Sequence, residues 1–175
     1  MRLHSRKWLF SIIGCCLLFL TGGLSAFAQG NNSKGKTKFT KSDIEKLRWI
    51  EGSWRGSDGN GSLTFYENYH FVGNEIVIKS YAQDSTFTKT KRQGRVYLLN
   101  GEIIHKSEGM LWSATKIDDL RIEFAPKKKA TSSFIWQKES DDIWLARLIF
   151  EDDKDKPIET VFRMERIKNK SVTSQ

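Results

Sequence analysis

Arg95-Val96-Tyr97-Leu98-Leu99-Asn100-Gly101-Glu102-Ile103-Ile104-His105-Lys106 is the stretch that decides the fold. Asn-Gly supplies the two positive-φ positions of a tight hairpin turn, and the flanking runs carry the β-branched and aromatic residues that suit a pleated strand. The same punctuation recurs on both sides, at Asp58-Gly59-Asn60-Gly61, Gly73-Asn74, Asp118-Asp119, Asp141-Asp142 and Asp152 to Lys156. Between these turns lie strand-like runs over 53–57, 62–71, 75–82, 86–98, 102–107, 110–117, 120–125, 132–138, 143–150 and 158–167. Hairpin-linked strands in this number form an antiparallel meander, which must either close or leave exposed edges. Closure predicts an all-β, antiparallel up-and-down barrel of about 8–10 strands.

Alternation assigns the inward faces. Leu120, Ile122 and Phe124 alternate with Arg121 and Glu123, and Ile158, Thr160, Phe162 and Met164 alternate with Glu159, Arg163 and Glu165. Trp144, Ala146, Leu148 and Phe150 share a face, with Leu145 and Ile149 behind them. One short helix precedes the strands. Ser42 can cap it, Glu45 completes a capping-box pattern, Ile44 and Leu47 share its buried face, and Gly52 stops it.

The first 28 residues do not read as part of this domain. Arg2, Arg6 and Lys7 precede an apolar run from Trp8 to Leu20, and Ala26 and Ala28 occupy the small-residue positions of a signal-peptide cleavage site. The run is shorter than the roughly 20 residues a spanning helix needs, so no transmembrane anchor is expected after cleavage. Ile12-Ile13-Gly14-Cys15 offers a lipoprotein alternative, anchored at Cys15. Residues 29–39 then form a polar linker, 40–168 the barrel domain and 169–175 a disordered tail. The whole chain carries 29 Lys+Arg against 21 Asp+Glu, a formal +8, which invites a nucleic-acid reading. Three of those cations and both cysteines fall in the leader. What remains is an exported domain, periplasmic or secreted, with no disulfide, and nucleic acid is not an expected partner.

Gly52-Ser53-Trp54, straight after a short helix and opening the first strand, resembles the Gly-x-Trp signature of lipocalin-like (calycin) barrels. These barrels carry a basic residue near the end of the last strand, packed over that tryptophan. Arg166, with the parity of Phe162 and Met164, is the matching position. More widely, Leu47 to Gly56, Phe65 to Tyr69, Ile122 to Pro126, Ser133 to Trp136 and Phe162 to Arg166 are similar to a group of secreted bacterial domains of unknown function. The resemblance implies a barrel holding a small apolar molecule, and supplies no activity.

Within such a barrel, Trp112 and Trp136 fall mid-strand and can line a cavity, whereas Trp49 and Trp54 belong to the closed end. Glu67 shares parity with Leu63, Phe65 and Tyr69, an otherwise apolar face. A buried carboxylate must be paired or protonated, so Glu67 either meets an inward Arg or Lys or anchors a ligand hydroxyl or amine, with Tyr69 beside it. His105 shares parity with Ile103 and faces inward, while His70 faces out. A single inward histidine is compatible with haem, as in the haem-binding barrels the fold also resembles. No Cys/His spacing suggests a metal, and no nucleophile elbow or phosphate loop is present. Lys127-Lys128-Lys129, read as a loop, offers an anionic-surface contact.

These features converge on a non-enzymatic barrel for a small apolar or amphipathic ligand, with Glu67, Tyr69, His105, Trp112 and Trp136 as site residues and no cofactor. Two alternatives stand beside it: a haem-binding or other barrel enzyme centred on His105, and a cell-envelope interaction module with a solid core.

Overall fold

The computed structural model describes residues 38–152 and 156–168. The leader, its cleavage residues Ala26 and Ala28, the lipid-anchor position Cys15, most of the linker and the C-terminal tail lie outside the described residues.

A short helix, α1 (Lys41–Glu45), and a 3₁₀ turn (Arg48–Ile50) lead into ten strands. These are β1 (Gly52–Asp58), β2 (Thr64–Val72), β3 (Glu75–Ala82), β4 (Arg92–Leu99), β5 (Glu102–Ser107), β6 (Met110–Ile117), β7 (Arg121–Lys128), β8 (Ser133–Lys138), β9 (Ile143–Glu151) and β10 (Pro157–Arg166). Each strand pairs antiparallel with its sequence neighbours, and β10 returns to β1 through Trp54↔Arg166 and Gly56↔Met164. The sheet is a closed up-and-down barrel, so no strand edge is left unpaired.

Alternation drives the burial. On β2, Phe65, Glu67, Tyr69 and Phe71 are buried while Tyr66, Asn68 and His70 lie outward. One end of the barrel is sealed by Ile44, Leu47 and Ile50, all fully buried, so α1 and the 3₁₀ turn act as a plug. The chain arrives at this end, where the Phe39 N–H donates to the Gly101 carbonyl at 2.8 Å. It leaves there too, with the Ile167 N–H donating to the Ser53 carbonyl at 2.8 Å. The opposite end carries the β1–β2, β3–β4, β5–β6, β7–β8 and β9–β10 connections.

Four sequence expectations need correcting. The helix cap is Thr40 with Asp43, not Ser42 with Glu45: the Asp43 carboxylate accepts from the Thr40 N–H at 2.8 Å. Both pairs have the same spacing, and the first apolar residue, Ile44, sits correctly only with the earlier cap. Leu120 is exposed at the β6–β7 turn, because β7 begins one residue later. Ile158 is likewise exposed, near the start of β10. The expected strand over 86–98 starts only at Arg92. Its first residues alternate Thr86, Thr88 like a strand, yet Asp84 captures them: its carboxylate accepts from the backbone N–H groups of Thr86, Thr88 and Lys89 at 2.9, 3.0 and 2.8 Å. Side-chain capture of backbone donors competes directly with a strand ladder.

Candidate functional site

The barrel interior divides into a filled end and a hollow one. At the filled end, the Arg166 guanidinium lies 4.1 Å from the centroid of the Trp54 ring. It donates to the carbonyls of Glu51 at 2.6 Å, Trp49 at 2.9 Å and Asp141 at 2.9 Å. Trp54 Nε1 donates to the Ile50 carbonyl at 2.7 Å. Gly52 completes the unit. A Cβ there would stand 2.6 Å from Arg166 Nη1, and its φ of +127° is one that side-chain-bearing residues rarely adopt. Gly52, Trp54 and Arg166 thus clamp the plug to the first and last strands, with Trp144 packed edge-on against Trp54 at 6.0 Å. Trp54 is fully buried, and none of these three residues lines the hollow.

Above this corner lies a cavity of about 120 Å³, and Glu67, Tyr69, His105, Trp112 and Trp136 all line it. Trp136 stands at the centre of the aromatic wall, edge-on to Tyr69 at 5.7 Å and to His105 at 5.7 Å. Trp112 is fixed by its Nε1 donating to the Ser132 carbonyl at 2.8 Å, across the β7–β8 connection. His105 sits among Trp112, Phe124, Phe134 and Trp136, with ring centroids 5.2 to 5.8 Å away. Burial drives its pKa down to about 3, so the imidazole is neutral at physiological pH. Its Nδ1 is buried and finds no hydrogen-bond partner among the described residues.

Glu67 is 6% exposed, the one charged residue type in the buried core of the described residues. The Tyr69 hydroxyl donates to its Oε2 at 2.6 Å. Burial raises its pKa to about 7, against the opposing pull of that hydrogen bond and of the Arg92 charge. Tyr69 is itself held well above the ordinary phenol range by burial and by the neighbouring carboxylate. The inward Arg or Lys that the sequence offered as a partner is not in contact. Arg92 does reach the cavity wall, but its Nε is 3.1 Å from the Glu108 carboxylate.

Sequence reasoning did not find the rim. Ser80, Arg92, Gln93, Ser107, Thr131 and Ser132 line the cavity toward the end away from the plug. Parity carried the signal for some of them: Ser80 follows Ile76 and Ile78, and Arg92 precedes Gly94 and Val96, on the inward faces of β3 and β4. Gly94 is part of the reason there is space. A Cβ at that position would stand 3.1 Å from the Lys106 carbonyl oxygen and 3.6 Å from His105 Nε2.

No group of three or more metal-ligating side chains occurs among the described residues. Lys127 and Lys128 lie in β7 rather than in a loop, and Lys127 bridges to Glu102, so the three-lysine run is not a free cationic loop. The cavity is also far too small for a haem macrocycle, since pockets for drug-sized ligands run to roughly 300–1,000 Å³. With four rings already within 5.8 Å of the His105 ring and a cavity of about 120 Å³, the residues do not fit haem.

The sequence matches no protein-family model and no curated protein. Among solved structures it is similar to a redesigned β-barrel, at 8% identity and a TM-score of 0.34, over 69% of this chain and 93% of that one.

Proposed function

We propose that this chain is an exported, lipocalin-like, non-enzymatic barrel that holds one small amphipathic molecule in its cavity. The observation that carries this reading is the pairing of an aromatic-walled hollow with a buried carboxylate at Glu67, held on the cavity wall by the Tyr69 hydroxyl. A filled barrel of this kind would place an apolar side chain there, because a buried carboxylate with one hydrogen bond is costly. The space matches a small guest: a dry cavity of about 150 Å³ accepts benzene. The rim polar groups suit a molecule with one apolar and one polar end. The Gly-x-Trp corner and the basic apolar leader support the lipocalin-like and exported parts of the reading.

Native mass spectrometry of the purified chain, followed by organic extraction and identification of what is released, tests it. A stoichiometric guest of single-ring or short-chain size is expected. Repeated recovery of an empty barrel that also gains no stability from any small aromatic or alkyl probe overturns it.

A further inference from the structure

This inference rests on the binding reading above and names its ligand class. We propose that the cavity selects small organic cations, a protonated amine on a single ring or short chain, with the ammonium on the Glu67 carboxylate and the body against the aromatic walls.

The charge arrangement is the first argument. Within the described residues, the titratable groups facing Glu67 across the cavity are Tyr69 on its own strand, Arg92 on β4 and His105 on β5. No titratable side chain of β6, β8, β9 or β10 lines the cavity, and the β7–β8 connection adds only Thr131 and Ser132. Arg92 is already compensated by Glu108 at 3.1 Å. His105 is kept neutral by burial and adds no opposing charge. Glu67, Arg92 and Glu108 together therefore carry one net negative charge when Glu67 is ionised, and a monocation restores neutrality.

The walls supply the second argument. Phe65, Tyr69, Trp112, Phe134, Trp136 and Phe162 surround the hollow. Aromatic faces are negative and attract desolvated cations, whereas they offer nothing to an anion. Size is the third: about 120 Å³ admits one ring or a short alkyl chain and no more.

The proton balance follows. At pH 7 much of the Glu67 population carries a proton. When the ammonium seats, that proton leaves for solvent and the carboxylate accepts from the ammonium N–H. Binding of the cation must then weaken as pH falls below 7, by about tenfold at one pH unit below the carboxyl pKa.

Intrinsic tryptophan fluorescence and calorimetry, with benzylammonium, benzyl alcohol and benzoate as probes at pH 8, decide the point. Benzylammonium should bind at least tenfold tighter than the other two. In Glu67→Gln the advantage of benzylammonium over benzyl alcohol should vanish, with a retained far-UV circular dichroism spectrum certifying the variant's fold. Benzyl alcohol binding as well as benzylammonium, or benzoate binding most tightly, overturns the cation assignment and leaves the binding barrel standing. Failure of all three probes to bind overturns the binding reading itself.

Discussion

The two ends of the barrel place a charged group inside in opposite ways. At the plugged end the Arg166 guanidinium donates to three backbone carbonyls, one from each nitrogen, and lies over an aromatic face, so its position is fixed. In the hollow half the Glu67 carboxylate meets a single hydroxyl and open space. A charge held by several backbone groups is fixed by the fold, whereas a carboxylate on a cavity wall has a free approach on one side. The difference separates a structural signature from a candidate site within one interior, without appeal to residue type.

That contrast can be broken most directly with tryptophans. Trp54→Ala removes a fully buried ring with neighbours on every side and is expected to cost about 4 kcal/mol in urea denaturation. Trp112→Ala, whose ring already borders a void, should cost about half as much; equal losses would mean that the hollow is not hollow in solution.

The carboxylate gives the next largest effect, and it has a sign. Its folded pKa of about 7 lies above the ordinary 4.5, so the folded state holds the proton more tightly. Stability from this group is complete below pH 4.5 and lost as pH rises through 7, by about 3 kcal/mol. His105 acts in the opposite sense. Its folded pKa of about 3 lies below the ordinary 6.5, so stability is lost as pH falls from 6.5 toward 3. Thermal melts across pH 3 to 9 should show a broad maximum between these limits. Glu67→Gln should flatten the alkaline limb and His105→Phe the acid one. An unchanged alkaline limb in Glu67→Gln would place the carboxylate in water rather than in the core.

At the plugged end, Arg166→Lys keeps the charge and loses the planar fork that serves several carbonyls. About 2 kcal/mol of destabilisation is expected by chemical denaturation, with little pH dependence. The smallest effect sharpens the boundary between the halves. Gly56 lets the Phe65 ring lie against β1, and a Cβ there would stand 2.2 Å from Phe65 Cζ. Gly56→Ala should cost about 1–2 kcal/mol and displace Phe65 into the hollow, weakening any small probe that binds there.

Much of the barrel was legible because its cues are local. Asn100-Gly101 makes the hairpin it announces, with φ of 52° and 82°, and the β5 and β6 limits coincide with the apolar runs. The inward parities of Glu67 and His105 followed from period-two alternation alone. What failed were competitions that pattern cannot rank. Thr86 and Thr88 suit a strand equally well until Asp84 takes their backbone donors. Thr40 and Ser42 are equally good caps until the buried position of Ile44 chooses between them. For the site, parity placed side chains inside but said nothing about what they meet. That Tyr69 rather than a cation would hold Glu67, and that Arg92 would turn to Glu108, depends on strands brought together by closure. The hollow is lined from eight of the ten strands and from the β7–β8 connection, so its size has no local signature.

The route of the chain has a practical consequence. It reaches the barrel at Phe39 and quits it at Ile167, both beside the plug, while the rim of the hollow lies at the far end. A fusion joined directly before Phe39 or after Ile167 would therefore meet the barrel beside the plug, at the end away from the mouth. The connections at that mouth, 83–91 and 129–132, are in contact with the barrel: Phe87 packs edge-on against Tyr81, and the Ser132 carbonyl holds Trp112.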